Sequence, residues 1–175
     1  FPWLIAVLAS VQAIHQVLLP VIVWTMFLAL LGWSISKRLI VPTAYLYLAI
    51  PIWESGNVFL QWLTVQAVGI ALAIIRVPAF IEGNHVILPA GSFSVDGGCS
   101  GLHYLIVAIA ISVLYATLWL RTWSKRVLLV AIAVLMALVT NWIRVFVVVY
   151  AGHLTDMQHY LVTHNHYYFG WVLFA

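Results

Sequence analysis

The chain has 175 residues, of which 66% are hydrophobic and only 6% charged, and its mean hydropathy is +1.13. A soluble domain of this size would not stay in solution with that composition, so the sequence is that of an integral membrane protein. Seven Lys and Arg against four Asp and Glu give a net charge of +3, but the basic residues stand in short loops between apolar runs, which reports topology and excludes nucleic-acid binding.

In chain order the apolar runs are Pro2 to Leu19, Pro20 to Ile35, Leu39 to Trp53, Val58 to Ile75, Leu102 to Leu120, Val127 to Tyr150, and Tyr160 to Ala175. All but the third read as helices, because hydrocarbon offers the backbone no other partner for its polar groups. The third carries Pro42 and Pro51, and its length suits either a tilted span or a re-entrant segment. The Trp-rich start lacks the charged head and small-residue exit of a cleavable signal and reads as a membrane helix. No internal repeat, low-complexity tract or long linker interrupts the pattern. The expected fold is all-α, a polytopic transmembrane bundle forming one domain over residues 1–175 with an outer-facing cavity. The chain starts at Phe1 and stops at Ala175 inside YYFGWVLFA, a run too short to span a bilayer, as expected of a fragment of a larger protein.

Orientation follows from the basic loops. Arg121, Lys125 and Arg126 form one cluster and Lys37 with Arg38 another, so both are expected on the cytoplasmic side, with Arg76 outside. That arrangement requires an odd number of crossings between Leu39 and Ile75. Counting back from Arg121 at about 1.5 Å per residue places Cys99 about 33 Å away, at the opposite interface. Counting forward from Arg126 places Arg144 about 27 Å away on the neighbouring helix, at that same interface. The loop from Ala151 to Asn165 and the helix start at His166 lie on this side too.

Three side chains of distinct chemistry thus converge on one face. Cys99 is the only cysteine, held in GGCSG, so it has no intramolecular disulfide partner. A packed thiol is the plainer reading of a lone cysteine, but a helix N-terminus lowers a thiol pKa and thiolate is the nucleophile. Gly97 and Gly98 permit close backbone approach, Gly101 leaves room for a substrate carbonyl, and Ser100 is placed to cap the helix. Arg144 in ALVTNWIRVFVVVY is costly in an apolar run and marks a polar cavity, with Asn141 one turn earlier on its face; snorkelling, or a pair with Asp96 or Glu82, is the structural alternative. His153, His159, His164 and His166 crowd the outer loop, at spacings that match no strong metal motif, so no metal and no cofactor is expected. His166 stands four residues before Gly170, an imidazole above a notch without a side chain, and His103, one turn after Cys99, is its rival as a base. Cys as nucleophile, His as proton carrier and Arg as oxyanion partner make a coherent acyl-transfer set.

The motifs CSGL at Cys99 to Leu102, NWIR at Asn141 to Arg144 and HYYFGW at His166 to Trp171, preceded by EGNHVILPAGSFSV, resemble the exosortase and archaeosortase family of membrane sorting enzymes. The resemblance runs from PIWE at Pro51 to the end and is closest to bacterial exosortases of the A type. It implies Cys99, Arg144 and His166 as catalytic residues. It also implies substrates that are exported proteins with a C-terminal tripartite signal: a Pro-Glu-Pro-like motif, a transmembrane helix and a basic cluster. Transfer to a cell-envelope acceptor, an association with exopolysaccharide and a bacterial inner-membrane location with the site facing the periplasm are implied as well. A basic residue, often Arg, commonly follows CSGL in that family, and His103 stands there in this chain. Two other readings fit the composition: a transporter or channel subunit in which Arg144 and the histidines line a pathway, and a metal- or haem-binding protein built on the outer histidines.

Overall fold

The computed structural model describes residues 12–159 and 166–175, except the side chains of residues 12, 13, 166 and 167. The chain divides into two compact units, Phe1–Ser55 and Gly56–Ala175. In the first, helix α1 (Gln12–Ser36) absorbs Pro20 and instead bends at Gly32, whose φ of 70° is open to glycine at little cost. The bend is what lets Trp24 Nε1 donate to the Ser36 carbonyl at 3.1 Å, since twelve residues of straight helix would separate them by about 18 Å. Trp24 and Trp33 meet edge to face at 6.1 Å. The third apolar run becomes a short helix α2 (Ile40–Ala44) followed by 3₁₀ turns over Tyr45–Ala49 and Pro51–Gly56. At ten residues, Ile40–Ala49 is too short for a bilayer of about 30 Å. Tyr47 Oη donates to the Val17 carbonyl at 3.1 Å, and Trp53 Nε1 to the Tyr47 carbonyl at 2.8 Å.

The second unit begins with α3 (Asn57–Ile74) and continues through strands β1 (Phe80–Glu82), β2 (His85–Leu88) and β3 (Gly91–Ser94) to α4 (Leu102–Trp119), α5 (Trp123–Leu154) and α6 (His166–Phe174). Among the described residues four helices are long and apolar enough to cross a membrane. The helical bundle expected from the sequence is therefore present. The antiparallel sheet, in the order β1-β2-β3, was not expected. Two-residue turns at Gly83-Asn84 and Pro89-Ala90 connect its strands.

At 32 residues α5 is about 48 Å long, and it changes partners along its length. Its first half packs on α4 through Ala137, Ala108 and Tyr104; small residues bring the two axes close, as in membrane helix pairs. Arg126 closes the α4–α5 turn by donating Nε to the Leu120 carbonyl at 2.7 Å. Beyond Arg144, Val145 and Val149 pack with Val65, Val68 and Leu72 of α3 and with Val86, Leu88 and Val95 of the sheet region. The sheet is thereby held between the ends of two helices.

Helix α3 ends in a Schellman motif: Val77 N–H bonds the Leu72 carbonyl at 3.0 Å and Arg76 N–H the Ala73 carbonyl at 3.1 Å. The left-handed position of that motif is Arg76, with φ 58°, where a β-carbon is strained. Arg76→Gly should stabilise the protein by about 1 kcal/mol, read as a higher midpoint of thermal unfolding in detergent.

Candidate active site

The segment Gly97–Cys99 is a single 3₁₀ turn, and α4 starts three residues after the thiol, at Leu102. Its geometry depends on Gly101, which takes φ 87°. A β-carbon there would meet Asn141 Cγ at 2.7 Å and Nδ2 at 2.8 Å. Asn141 thus packs against the face of Gly101 that a side chain would occupy. Ser100 Oγ lies 2.7 Å from both Asn57 Oδ1 and the Gly97 carbonyl and accepts the Leu102 N–H at 3.3 Å. It satisfies one of the free donors of α4 although the residue at the helix boundary is Gly101.

The loop is fastened from two helices. Asn141 Nδ2 donates to the Cys99 carbonyl at 3.0 Å and to Thr64 Oγ1 at 3.2 Å, which fixes the orientation of the amide. Thr64 in turn reaches the Ser100 carbonyl at 3.5 Å. Asn57 and Thr64, two turns apart on α3, therefore hold the side chain and the carbonyl of one serine. Neither was singled out from the sequence; polar residues spaced at seven in an apolar run were the available signal.

Arg144, 2% exposed, is the largest of the fully buried side chains among the described residues. Nη1 donates to Tyr104 Oη at 3.0 Å, Nη1 and Nη2 approach the Gly98 carbonyl at 3.4 and 3.3 Å, and Nη2 lies 3.7 Å from Cys99 Sγ. Cζ also sits 5.4 Å from the centre of the Tyr104 ring, a cation–π distance. The two residues, 45 apart in sequence, are in contact.

Tyr104 is the other residue that the sequence reading passed over. It is 4% exposed and clasped by α6, edge to face with Trp171 at 5.3 Å and stacked on Phe174 at 5.1 Å. A β-carbon on Gly170 would collide with Tyr104 Oη and with Arg144 Cδ and Nε at 2.7 and 2.8 Å. The notch at Gly170 therefore accommodates the arginine and the tyrosine, and only glycine lets α6 close onto them. His166 is the first residue of α6; its side chain, like His164, lies outside the described residues. His103 is exposed and lines a cleft of about 200 Å³ with Gly98, Gly101, Tyr104, Arg144 and Trp171. His153 is half-buried with Nδ1 lacking a hydrogen-bond partner among the described residues. No three His, Cys, Asp or Glu side chains among the described residues come together as a metal site.

Burial pushes the Cys99 thiol above its ordinary value, Arg144 pulls it down, and Asp96 adds a smaller upward push. A helix terminus at the thiol would lower it, but with α4 starting at Leu102 and the thiol partly buried, desolvation outweighs the favourable charge. Since thiolate is the species alkylated, the rate of Cys99 labelling by iodoacetamide should rise only at alkaline pH. Arg144→Met removes the one lowering influence, so the profile should move to still higher pH. Tyr104→Phe, which keeps the ring but frees Nη1, should move it by a smaller amount in either direction as the guanidinium resettles; an unchanged profile would mean that Tyr104 does not position Arg144.

Compared with known proteins, residues 1–175 match the family model described as Transmembrane exosortase (Exosortase_EpsH), so the match covers the whole chain. No curated protein and no solved structure compared with the chain matches it. The family supports a membrane transpeptidase or protein-sorting role in general terms. From that full-length match, the chain belongs to the transmembrane exosortase family.

Proposed function

We propose that the protein is a cysteine endopeptidase or transpeptidase of the bacterial inner membrane that cleaves C-terminal sorting signals of exported proteins. The observation that carries this reading is the contact between Cys99 Sγ and the buried Arg144 guanidinium, 3.7 Å apart beside the cleft that holds His103. The substrates are proteins ending in a Pro-Glu-Pro-like motif, a transmembrane helix and a basic cluster, and the site faces the periplasm.

In the first step His166 takes the proton from Cys99, and the sulfur attacks the scissile carbonyl carbon. The charge that develops on the carbonyl oxygen is stabilised by Arg144, whose Nη2 already lies 3.7 Å from Cys99 Sγ. The C–N bond then breaks as the histidine returns the proton to the departing amine, leaving a thioester on Cys99. Attack by a nucleophile of an envelope acceptor, or by water, releases the product and restores the thiol. The raised thiol pKa gives the base a task, because the resting sulfur keeps its proton. His166 opens α6 one turn, about 6 Å of rise, before Gly170, the position whose missing side chain admits Arg144.

Processing of a co-expressed reporter with a tripartite signal tests the reading. Cys99→Ala should abolish it and Cys99→Ser should leave little, since a hydroxyl is the poorer nucleophile. Arg144→Lys should fail nearly as badly as Arg144→Ala, a loss of about 100-fold or more, because an ammonium cannot reproduce the planar fork. Equal processing by wild type and Cys99→Ala would remove the proposal. Among the histidines, His166→Ala should lose about 100-fold or more, far more than His103→Ala, His159→Ala or His164→Ala. An inactive His103→Ala beside an active His166→Ala would transfer the base to the cleft-lining histidine.

A further inference from the structure

Strand β3 pairs on one side only, with β2. The register shows which backbone groups are left over. Val95 N–H donates to the Asn84 carbonyl at 2.9 Å, one position beyond the pair His85 and Ser94. Asn84 with Val95 is therefore a hydrogen-bonded pair, and such pairs alternate along an antiparallel ladder with pairs that exchange no bond. It follows that Val86 bonds Phe93 and Leu88 bonds Gly91, whereas Ser92 and Ser94 turn their N–H and C=O groups away from β2. Both serines are exposed, and no described backbone group meets them on that side. The alternate residues face the end of α5 and the turn after it: Phe93 lies against Gly152 and Met157 against Gly91. A narrow cavity of about 40 Å³ is lined by Phe93, Ser94 and Val95 and, opposite in sequence, by Cys99, Arg144 and Val145. Ser94, one of the two residues that form the free edge, thus lines the same cavity as the thiol.

We infer that this edge is the docking strand for the substrate: an extended segment of the polypeptide to be cleaved adds to Ser92 and Ser94 of β3 as a fourth strand, which leads its scissile carbonyl to Cys99. The inference rests on the reading of the protein as a peptide-cleaving cysteine enzyme and assigns how that enzyme holds its substrate. Strand addition draws on backbone groups and so serves substrates that differ in side chains. It also requires the segment to be extended, because in a helix each carbonyl is already engaged. A Pro-Glu-Pro segment suits such a strand. Alternate residues of a strand direct their backbone groups to opposite edges, so both prolines can face away from β3 while the glutamate between them offers its N–H and C=O to it. The prolines then leave the outer edge without donors, which stops a further strand from joining.

The test uses the full chain in detergent and a soluble peptide containing Pro-Glu-Pro, read by how far the peptide slows alkylation of Cys99 by iodoacetamide. The parent peptide should protect the thiol. The same peptide with N-methylglutamate between the prolines should bind about tenfold more weakly, the loss of one backbone hydrogen bond. N-methylation three residues before the glutamate, on an amide that faces away, should leave protection intact. Ser92→Pro removes the outward N–H of the docking strand and should abolish protection, its folding checked by its melting temperature; an edge strand tolerates proline where the N–H faces outward. If that variant does not fold, the N-methyl series decides by itself on the unaltered protein. The inference is overturned if the parent peptide gives no protection, if both N-methyl peptides protect like the parent, or if folded Ser92→Pro is protected like wild type. Loss of a dimer in Ser92→Pro, with peptide protection unchanged, would assign the edge to a second copy of the chain and overturn it as well. Protection without any cleavage by wild type would retain the docking strand and remove the enzymatic reading.

Discussion

Burying the guanidinium of Arg144 is the constraint from which the geometry of the second unit follows. A cation taken out of water costs several kcal/mol unless its donors are met. Here Tyr104 Oη and the Gly98 carbonyl accept from its terminal nitrogens, with the sulfur of Cys99 at the edge of reach. Each acceptor comes from a different piece of chain than the arginine itself. The tyrosine requires α4 to start where it does, the carbonyl requires the 3₁₀ turn before it, and the face of α6 must lack a side chain at Gly170. One buried charge thereby ties three helices and a loop to a single register.

The loop that carries the thiol has its own anchors, and they act on the backbone. Asn141 and Thr64 hold the Cys99 and Ser100 carbonyls, and Asn57 holds the serine hydroxyl. The left-handed Gly101 turns the chain into α4 over the amide of Asn141. Among the described residues no backbone donor reaches Sγ, and its protonation answers mainly to burial and to Arg144. A thiol in this state is quiet toward casual electrophiles and becomes reactive when a base arrives with the correct geometry.

Much of this was legible before any coordinates. Helix rise and the one basic loop from Arg121 to Arg126 were enough to bring Cys99 and Arg144 to one level, because an apolar helix is a ruler whose ends are marked by charge. Their contact depends on side-chain direction and crossing angle, which residue counting does not contain. Tyr104 escaped notice because one hydroxyl in LHYLIVAIAI reads as an interfacial anchor until its partner is known. The sheet escaped because strands of three and four residues are shorter than the window in which alternation stands out. Its turns, GN and PA, were visible as punctuation in EGNHVILPAGSFSV without saying what they joined. At positions 101 and 170 the missing side chain makes room for Asn141 and for Arg144 with Tyr104, partners that the sequence pattern does not name.

The length of α5 also sets a relation between the site and the lipid. The rise from Arg126 to Arg144 is about 27 Å, close to the roughly 30 Å of hydrocarbon in an ordinary bilayer. A rigid helix cannot stretch, so a change in acyl-chain length is taken up by tilt or by local deformation of the lipid, at a cost of fractions of a kcal/mol per Å. A tilt of α5 carries with it everything that Arg144 organises, and the height of the thiol relative to the headgroups changes accordingly. Membrane thickness is therefore a variable that this fold converts into the depth of the Cys99 sulfur.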